Sequence, residues 1–395
     1  MLIITSVQPL HINRFLYVKV TTDDGLVGYG ESGAWGFQEA TAEVVRSFAG
    51  YLVGEDPRRI THHWEYMYRA FHFRGAAIMG ALSAIDIALW DLAGKRLSVP
   101  VYELLGGASR DSVRVYKHVT GQNLPELIDD CTAAATGGYT AVGHLSPFLD
   151  SDRTRPLTST GTRYVRDAAY NLRQIAEATD GEIDLCVELH RRLTPAEAVR
   201  FSDQVAECDP LFLEDPIRPD NFDAMASVAE RSRIPIATGE RLHTVEEFQM
   251  LLARAPIAYT RISVCLAGGI TGAMRIAAVA HSVGSLVVPH NPLSPLSTAA
   301  CLQVALAVPN LGLMEMPDHD RMPATALYTA SGDGRQDVSQ RDIVIGTPEA
   351  DAGYVPRPVT AGLGARVDES VANGFPPQRV AILTRLRADG SVVDE

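Results

Sequence analysis

The first stretch of the chain alternates. Phe15, Tyr17 and Lys19 interleave with Leu16, Val18 and Val20, then Asp24-Gly25, then Leu26-Val27-Gly28-Tyr29-Gly30. Period two on both sides of an Asp-Gly pair predicts a β-hairpin. Further on the period lengthens. Leu82, Ile85, Leu89 and Leu92 recur at three- and four-residue steps, and Gly94 is placed to end that helix. Residues 1–111 therefore read as a small α+β domain.

From about residue 112 short apolar runs alternate with helical stretches. The runs are 183–187, 211–213, 234–237, 285–288 and 311–314, and stretches such as 195–206 and 245–253 between them are amphipathic at helical period. This alternation predicts βα units on a parallel sheet. A chemically capable residue closes five of the strands: Glu188, Glu214, Glu240, His290 and Glu315, at spacings of 26, 26, 50 and 25 residues. Fifty is two units, which places another strand at 260–264, and walking back finds 139–145 and 113–118. Eight strands are what a closed β/α barrel needs, so residues 112–330 read as the barrel. The longer gap after residue 145 holds SPFLDSDRTRPLTSTGTRY, polar enough for a lid. Residues 331–395, rich in Gly, Pro and Asp, read as an irregular tail returning to the first domain.

Composition narrows the classes. Of 395 residues, 46% are hydrophobic and 21% charged, ordinary values that exclude a disordered or fibrous chain. Thirty-five Lys+Arg against 48 Asp+Glu give a net charge of −13, which argues against nucleic acid or an anionic membrane as partner. No run of 18 apolar residues predicts a membrane span, and MLIITSVQPL lacks the basic start of a signal peptide. The five cysteines, 131, 186, 208, 265 and 301, form no CxxC pair and read as reduced structural thiols. A cytoplasmic location is the resulting expectation.

In a parallel barrel all strands end on one face, and active sites are built there. Glu188, Glu214 and Glu240 would stand side by side on neighbouring strands about 4.8 Å apart. Carboxylates that close raise one another's pKa unless a cation holds them, and an all-oxygen set with room for more ligands suits Mg²⁺. His190, two residues past Glu188, would share its side of an extended segment. His290 closes the seventh strand, so two histidines flank the metal for proton transfer. Of Lys117 and His118 only one can face inward. Arg261 is placed to pair either with a substrate carboxylate or with Glu240. Trp35 and Phe37, in GESGAWGFQ, lie in a loop placed to cap the barrel mouth, and Gly268-Gly269 reads as a tight loop opening a helix.

Several of these pieces resemble the enolase superfamily, in its mandelate racemase-like branch: LSAIDIALWDLAGKRLSVPVYELLGG (82–107), FLEDPIRPDN (212–221), IATGERL (236–242), AGGIT (267–271) and PHNPLSPLSTAA (289–300). VELHRRLTPAEA (187–198), GLMEMP (312–317), GLGARVDE (362–369) and RLRADGSVVDE (385–395) are similar to its D-mannonate dehydratase-like group. The resemblance implies an α/β architecture: a modified TIM barrel, (β/α)₇β, with an N-terminal α+β capping domain completed by the tail. It implies a Mg²⁺-dependent lyase that removes the proton next to a carboxylate and expels the 3-hydroxyl, giving a 2-keto-3-deoxy sugar acid. A six-carbon aldonate such as mannonate or gluconate is the implied substrate, and a symmetric homo-oligomer the implied assembly. Galactonate-type dehydration, epimerisation or racemisation, and a weakly active member with a regulatory or binding role are the alternatives.

Carried over by residue, the metal ligands are Glu188, Glu214 and Glu240, and His190 is the acid/base. His118, Arg261, Glu315 and the loop residue Trp35 are the substrate-binding positions. Three departures stand out. Glu188 occupies a place usually held by Asp. The second strand ends Val142-Gly143-His144-Leu145, without the Lys-x-Lys of the racemases or the arginine of the mannonate dehydratases. The group's tyrosine base comes from the long second loop, where Tyr164 is the only tyrosine here. The base is thus open among His144, Tyr164 and His290. Ser263 falls about where a His–Asp dyad would have its aspartate.

Overall fold

The Asp24-Gly25 turn joins two strands of a three-stranded antiparallel meander, β1 (Ile4–Ile12), β2 (Phe15–Thr22) and β3 (Val27–Ser32). Thr22 closes the turn by donating its amide to Leu26 O at 3.0 Å, while Gly25 takes φ +82°, which only glycine adopts freely. The computed structural model describes residues 2–149, 154–319, 340–379 and 382–394. Helices α1 (Gln38–Leu52), α2 (Ile60–Arg69), α3 (Ala76–Leu97) and the short α4 (Val101–Leu104) complete this domain.

Helix α3 corrects two sequence expectations. It is long and apolar enough by composition to cross a membrane, although no such stretch was expected, and here it is the buried core helix against the meander and a barrel helix. It also runs through Gly94 and stops three residues later, with Ser98 left-handed at φ +57° as its cap. Gly94 answers to packing instead: a Cβ there would lie 2.7 Å from Gly362 Cα of the tail. Glycine is needed where two backbones touch.

The alternating region folds as eight parallel strands separated by helices. In chain order they are β4 (Ser112–His118), α5 (Leu124–Thr136), β5 (Ala141–Leu145), α6 (Gly161–Thr179), β6 (Asp184–Glu188), α7 (Pro195–Val205), β7 (Phe212–Glu214) and α8 (Phe222–Arg231). There follow β8 (Ile236–Thr238), α9 (Val245–Leu252), β9 (Tyr259–Ser263), α10 (Gly269–Ser282), β10 (Leu286–His290), α11 (Pro295–Ala307) and β11 (Met314–Met316). The strand order is β11-β4-β5-β6-β7-β8-β9-β10. Val287 N donates to Asn310 O at 2.7 Å and Gly312 N to Val287 O at 2.9 Å, which joins the two end strands. The result is the expected modified barrel, (β/α)₇β, under an α+β cap. Helix starts follow local chemistry: Thr194 and Thr244 each form a capping box with the glutamate three residues on.

Tyr116, Ala141, Cys186, Phe212, Ala237, Val288 and Leu313 form one buried apolar cluster, a plug with one residue from almost every strand. Strand period two then sets what lies a step nearer the mouth. It is His118, Glu188, Glu214, His290 and Glu315 on five strands. On β5 and β8 the same step lands on Gly143 and Gly239. There the functional side chain comes from the next residue, His144 or Glu240. All five cysteines are unpaired, and four are buried.

The tail divides its contacts. β13 (Tyr354–Pro356) pairs antiparallel with β4, and β12 (Val344–Ile345) with β14 (Arg366–Val367). Glu369 accepts from Lys19 Nζ at 2.7 Å and Tyr29 OH at 2.6 Å, on the cap. Residues 385–393 turn back on themselves at the loop after β5, where Leu157 N donates to Leu386 O at 2.8 Å. The loop after β5 is longer than its neighbours, as expected; its residues 150–153 lie outside the described residues, as do 320–339.

Two acids of the cap dock onto helix N-termini of the barrel. Glu31 accepts from Ser294 N and Oγ and Ser297 N at the start of α11. Asp86 accepts from Thr271 N at 2.9 Å and Thr271 Oγ1 at 2.6 Å at the start of α10. A helix N-terminus favours such anions. The anion facing the Gly268-Gly269 loop is thus the protein's own. Burial dominates nonetheless and pushes Glu31 up to about 7 from 4.5. The folded state therefore binds an extra proton between those values, so stability falls as pH rises from 4.5 through about 7 and is level above. One such group accounts for on the order of 3 kcal/mol over that window. Glu31→Gln is expected to flatten this part of the urea-unfolding pH profile, and an unchanged slope would contradict the assignment.

Candidate active site

The three glutamates meet at the mouth of the barrel. Glu188, Glu214 and Glu240 each offer one carboxylate oxygen within 4.8 Å of the others. Glu188 and Glu214 are buried. Burial first, then Glu214 and Glu240 beside it, push Glu188 well above the usual carboxylate range. Burial also pushes Glu214 up, and the adjacent Arg261 only partly opposes this. For Glu240, burial is outweighed by His290, Arg191 and Arg261, which hold it below its ordinary value. Buried carboxylates turned on one another, with more negative charge than their surroundings neutralise, fit an oxygen-loving divalent cation. The longer Glu188 does not keep its side chain from the cluster, although one Oε1 also accepts from His190 N at 2.8 Å.

Arg261 is wholly buried and donates to Glu214 Oε1 and to Glu315 Oε2. Burial opposes its charge, but Glu214, Tyr116 and Glu315 more than compensate and raise it. Glu315 Oε1 meets His118 Nε2 at 2.7 Å, and Oε2 also accepts from Asn291 N at 2.7 Å. Burial notwithstanding, Arg261 and His118 hold Glu315 well below the usual range. These contacts correct the substrate-binding reading of Arg261 and Glu315: their polar atoms are occupied inside the protein, as part of the floor of the mouth alongside the glutamates. Of the Lys117/His118 pair, His118 faces inward and Lys117 lies 3.6 Å from Asp130.

His190 does not continue an extended strand. The chain turns left-handed at His190 (φ +46°) and Arg191 (φ +64°), while Arg191 N donates to Asp215 O at 2.7 Å. The imidazole still lies beside the cluster, Nε2 3.9 Å from Glu188 Oε2. The same turn delivers a residue that the sequence pattern did not single out. Arg191 Nη1 lies 3.0 Å from Glu240 Oε1 and 3.4 Å from Asp215 Oδ2, tying the ends of β6, β7 and β8. Thr238 Oγ1 donates to Asp215 Oδ1 at 2.6 Å. The adjacency of Arg191 to His190, and of Asp215 to Glu214, was the available signal.

His290 sits across the mouth, Nε2 3.2 Å from Glu240 Oε2. Its register partner on β9 is Ser263, and its buried Nδ1 meets no partner. No His–Asp dyad forms there among the described residues. His144 joins the cluster: its ring stacks on His118 at 5.0 Å and meets His190 edge-on at 5.2 Å. Tyr164 does not. It lies on α6 within the hydrophobic core, stacked on Phe148 at 4.6 Å. It is withdrawn as a base. Trp35 is 44% exposed, on a loop anchored where Gly33 N donates to Cys265 O at 2.7 Å, just past the end of β9.

Residues 2–106 match the family described as mandelate racemase / muconate lactonizing enzyme, N-terminal domain, and residues 148–371 match enolase C-terminal domain-like. The chain belongs to the enolase superfamily. Among curated relatives, the D-galactonate dehydratase of Xanthomonas oryzae pv. oryzae is 33% identical, covering 96% of each chain. A D-galactonate dehydratase family member of Streptomyces bingchenggensis is also 33% identical, covering 96% of this chain and 94% of its own. An enolase of Pantoea ananatis, solved with D-gluconate and Mg bound, superposes with a TM-score of 0.86 at 27% identity over all of both chains. One from Agrobacterium radiobacter, with Na and L-malate bound, gives 0.88 at 30% identity, again over all of both chains. This superfamily member is a lyase of the dehydratase kind.

Proposed function

We propose that the protein is an acid-sugar dehydratase that takes a six-carbon aldonate of the D-mannonate or D-gluconate type, with Glu188, Glu214 and Glu240 holding Mg²⁺. Bound there, Mg²⁺ supplies a Lewis acid that offsets the negative charge developing on the substrate's carboxylate. Arg261 and Arg191 restrain Glu214 and Glu240, so two of the three ligands are held in place before substrate arrives.

The observation that carries the reading is the placement of two imidazoles around the cluster. His190 follows β6 and His290 ends β10, four strands apart in a ring of eight, hence on opposite sides. A substrate between them presents its C2–H to one face and its 3-hydroxyl to the other. His290, whose Nε2 lies 3.2 Å from Glu240 Oε2 at the edge of the cluster, accepts the C2 proton. His190 then gives a proton to the 3-hydroxyl, which departs as water. The enol takes a proton at C3 and becomes the 2-keto-3-deoxy acid.

The test is a screen of D-mannonate, D-gluconate and D-galactonate with Mg²⁺, following 2-keto acid formation. His190→Gln is expected to lower turnover by about 10²–10⁴-fold, the usual scale for an acid/base group. Full activity in that variant, or no 2-keto acid from any aldonate, would sink the proposal. Galactonate is the second reading, supported by the names of the curated relatives. Deuterium entering C2 in D₂O without water loss would instead mark an epimerase.

A further inference from the structure

Gly143 takes the inward-facing place on β5, because a Cβ there would come within 2.4 Å of the Tyr116 ring. The strand nevertheless delivers a side chain to the mouth. Its register with β6 slips between Val142 and Leu145, and His144 turns left-handed at φ +53°. Non-glycine residues adopt that conformation seldom, and held in a strand it marks a side chain re-aimed by a bulge. The ring lands between two others. It stacks on His118 at an interplanar angle of 15°, and meets His190 at 72°. Imidazoles from the ends of β4, β5 and β6 thus stand in a row, from the Glu315 floor to the Glu188 ligand.

We propose that His144 is a specificity-determining residue, whose imidazole hydrogen-bonds a substrate hydroxyl beyond C3 and so selects polyhydroxy acids. This rests on the dehydratase reading of the site. His190 is beside the cation cluster and faces the reacting carbons. His144 stands a further 5.2 Å along the row, where the rest of an extended sugar chain would pass. An imidazole there serves as donor or acceptor, which suits a hydroxyl.

Equilibrium binding by calorimetry tests this, with Mg²⁺ present and in a His290→Gln background that stops turnover. The ligands are D-gluconate, D-mannonate and D-galactonate, and glycerate, which ends at C3. His144→Phe keeps a flat ring for the stack and loses the hydrogen bond. It is expected to weaken binding of at least one aldonate about tenfold, the scale of one lost hydrogen bond with its partner left unmet. Glycerate affinity and Mg²⁺ affinity should stay unchanged. His144→Asn, which tolerates a left-handed backbone and can donate and accept, should recover part of the loss. Aldonate binding equal to the parent in His144→Phe would overturn the proposal. So would an equal loss for glycerate and Mg²⁺, which would mean that the ring only holds the fold, or the absence of aldonate binding in the parent. Aldonates that bind in a His144-dependent way while the wild-type protein makes no product would refute the dehydratase reading and leave this one standing.

Discussion

Glu214→Gln is expected to lower Mg²⁺-dependent turnover by at least about a thousandfold, the equivalent of several kcal/mol of transition-state stabilisation. The substitution is nearly isosteric. Gln can still accept from Arg261, so the floor keeps one of its bonds and the fold should survive. What goes is one anionic ligand out of three, at the centre of the cluster between Glu188 and Glu240. Steady-state kinetics across Mg²⁺ concentrations checks this. The loss should be only partly recovered at high Mg²⁺. A variant that regains wild-type turnover there would show that Glu214 does no more than raise affinity.

Arg261→Met is expected to destabilise the protein by about 3–5 kcal/mol, the cost of removing one partner from a buried charge network. The methionine fills similar space, but Glu214 and Glu315 lose their shared cation in a site with almost no water contact. His118 alone cannot balance both. Chemical denaturation should show the loss, and added Mg²⁺ should restore part of it, because a cation binding only the folded state stabilises it. A change below 1 kcal/mol would mean that the carboxylates are already neutral when Arg261 is present.

The eight strands were legible because each is a short apolar run, and five of them close on a reactive side chain at steps of 25–26 residues or twice that. The glutamate trio and His290 followed from that repeat. Period two also decided His118 over Lys117 once β4 had neighbours. What the pattern could not aim lies where the backbone leaves its period. His190, Arg191, Asp215 and His144 all have positive φ, and no alternation rule says where such side chains point. Arg191 was overlooked for that reason. Gly94 was misread because its reason, contact with Gly362, is 268 residues away in sequence. Arg261 and Glu315 were assigned to substrate because a sequence shows charge and not pairing. Tyr164 was attached to the site by its loop, whereas its helix turns it toward Phe148.

One calorimetric titration decides the matter: chelator-treated protein against Mg²⁺, for the wild type and for Glu188→Gln, Glu214→Gln and Glu240→Gln. A single site in the wild type that weakens at least about tenfold in each variant is the predicted result. Wild-type protein that takes up no Mg²⁺, or variants that bind it undiminished, would contradict a cation held by these three side chains.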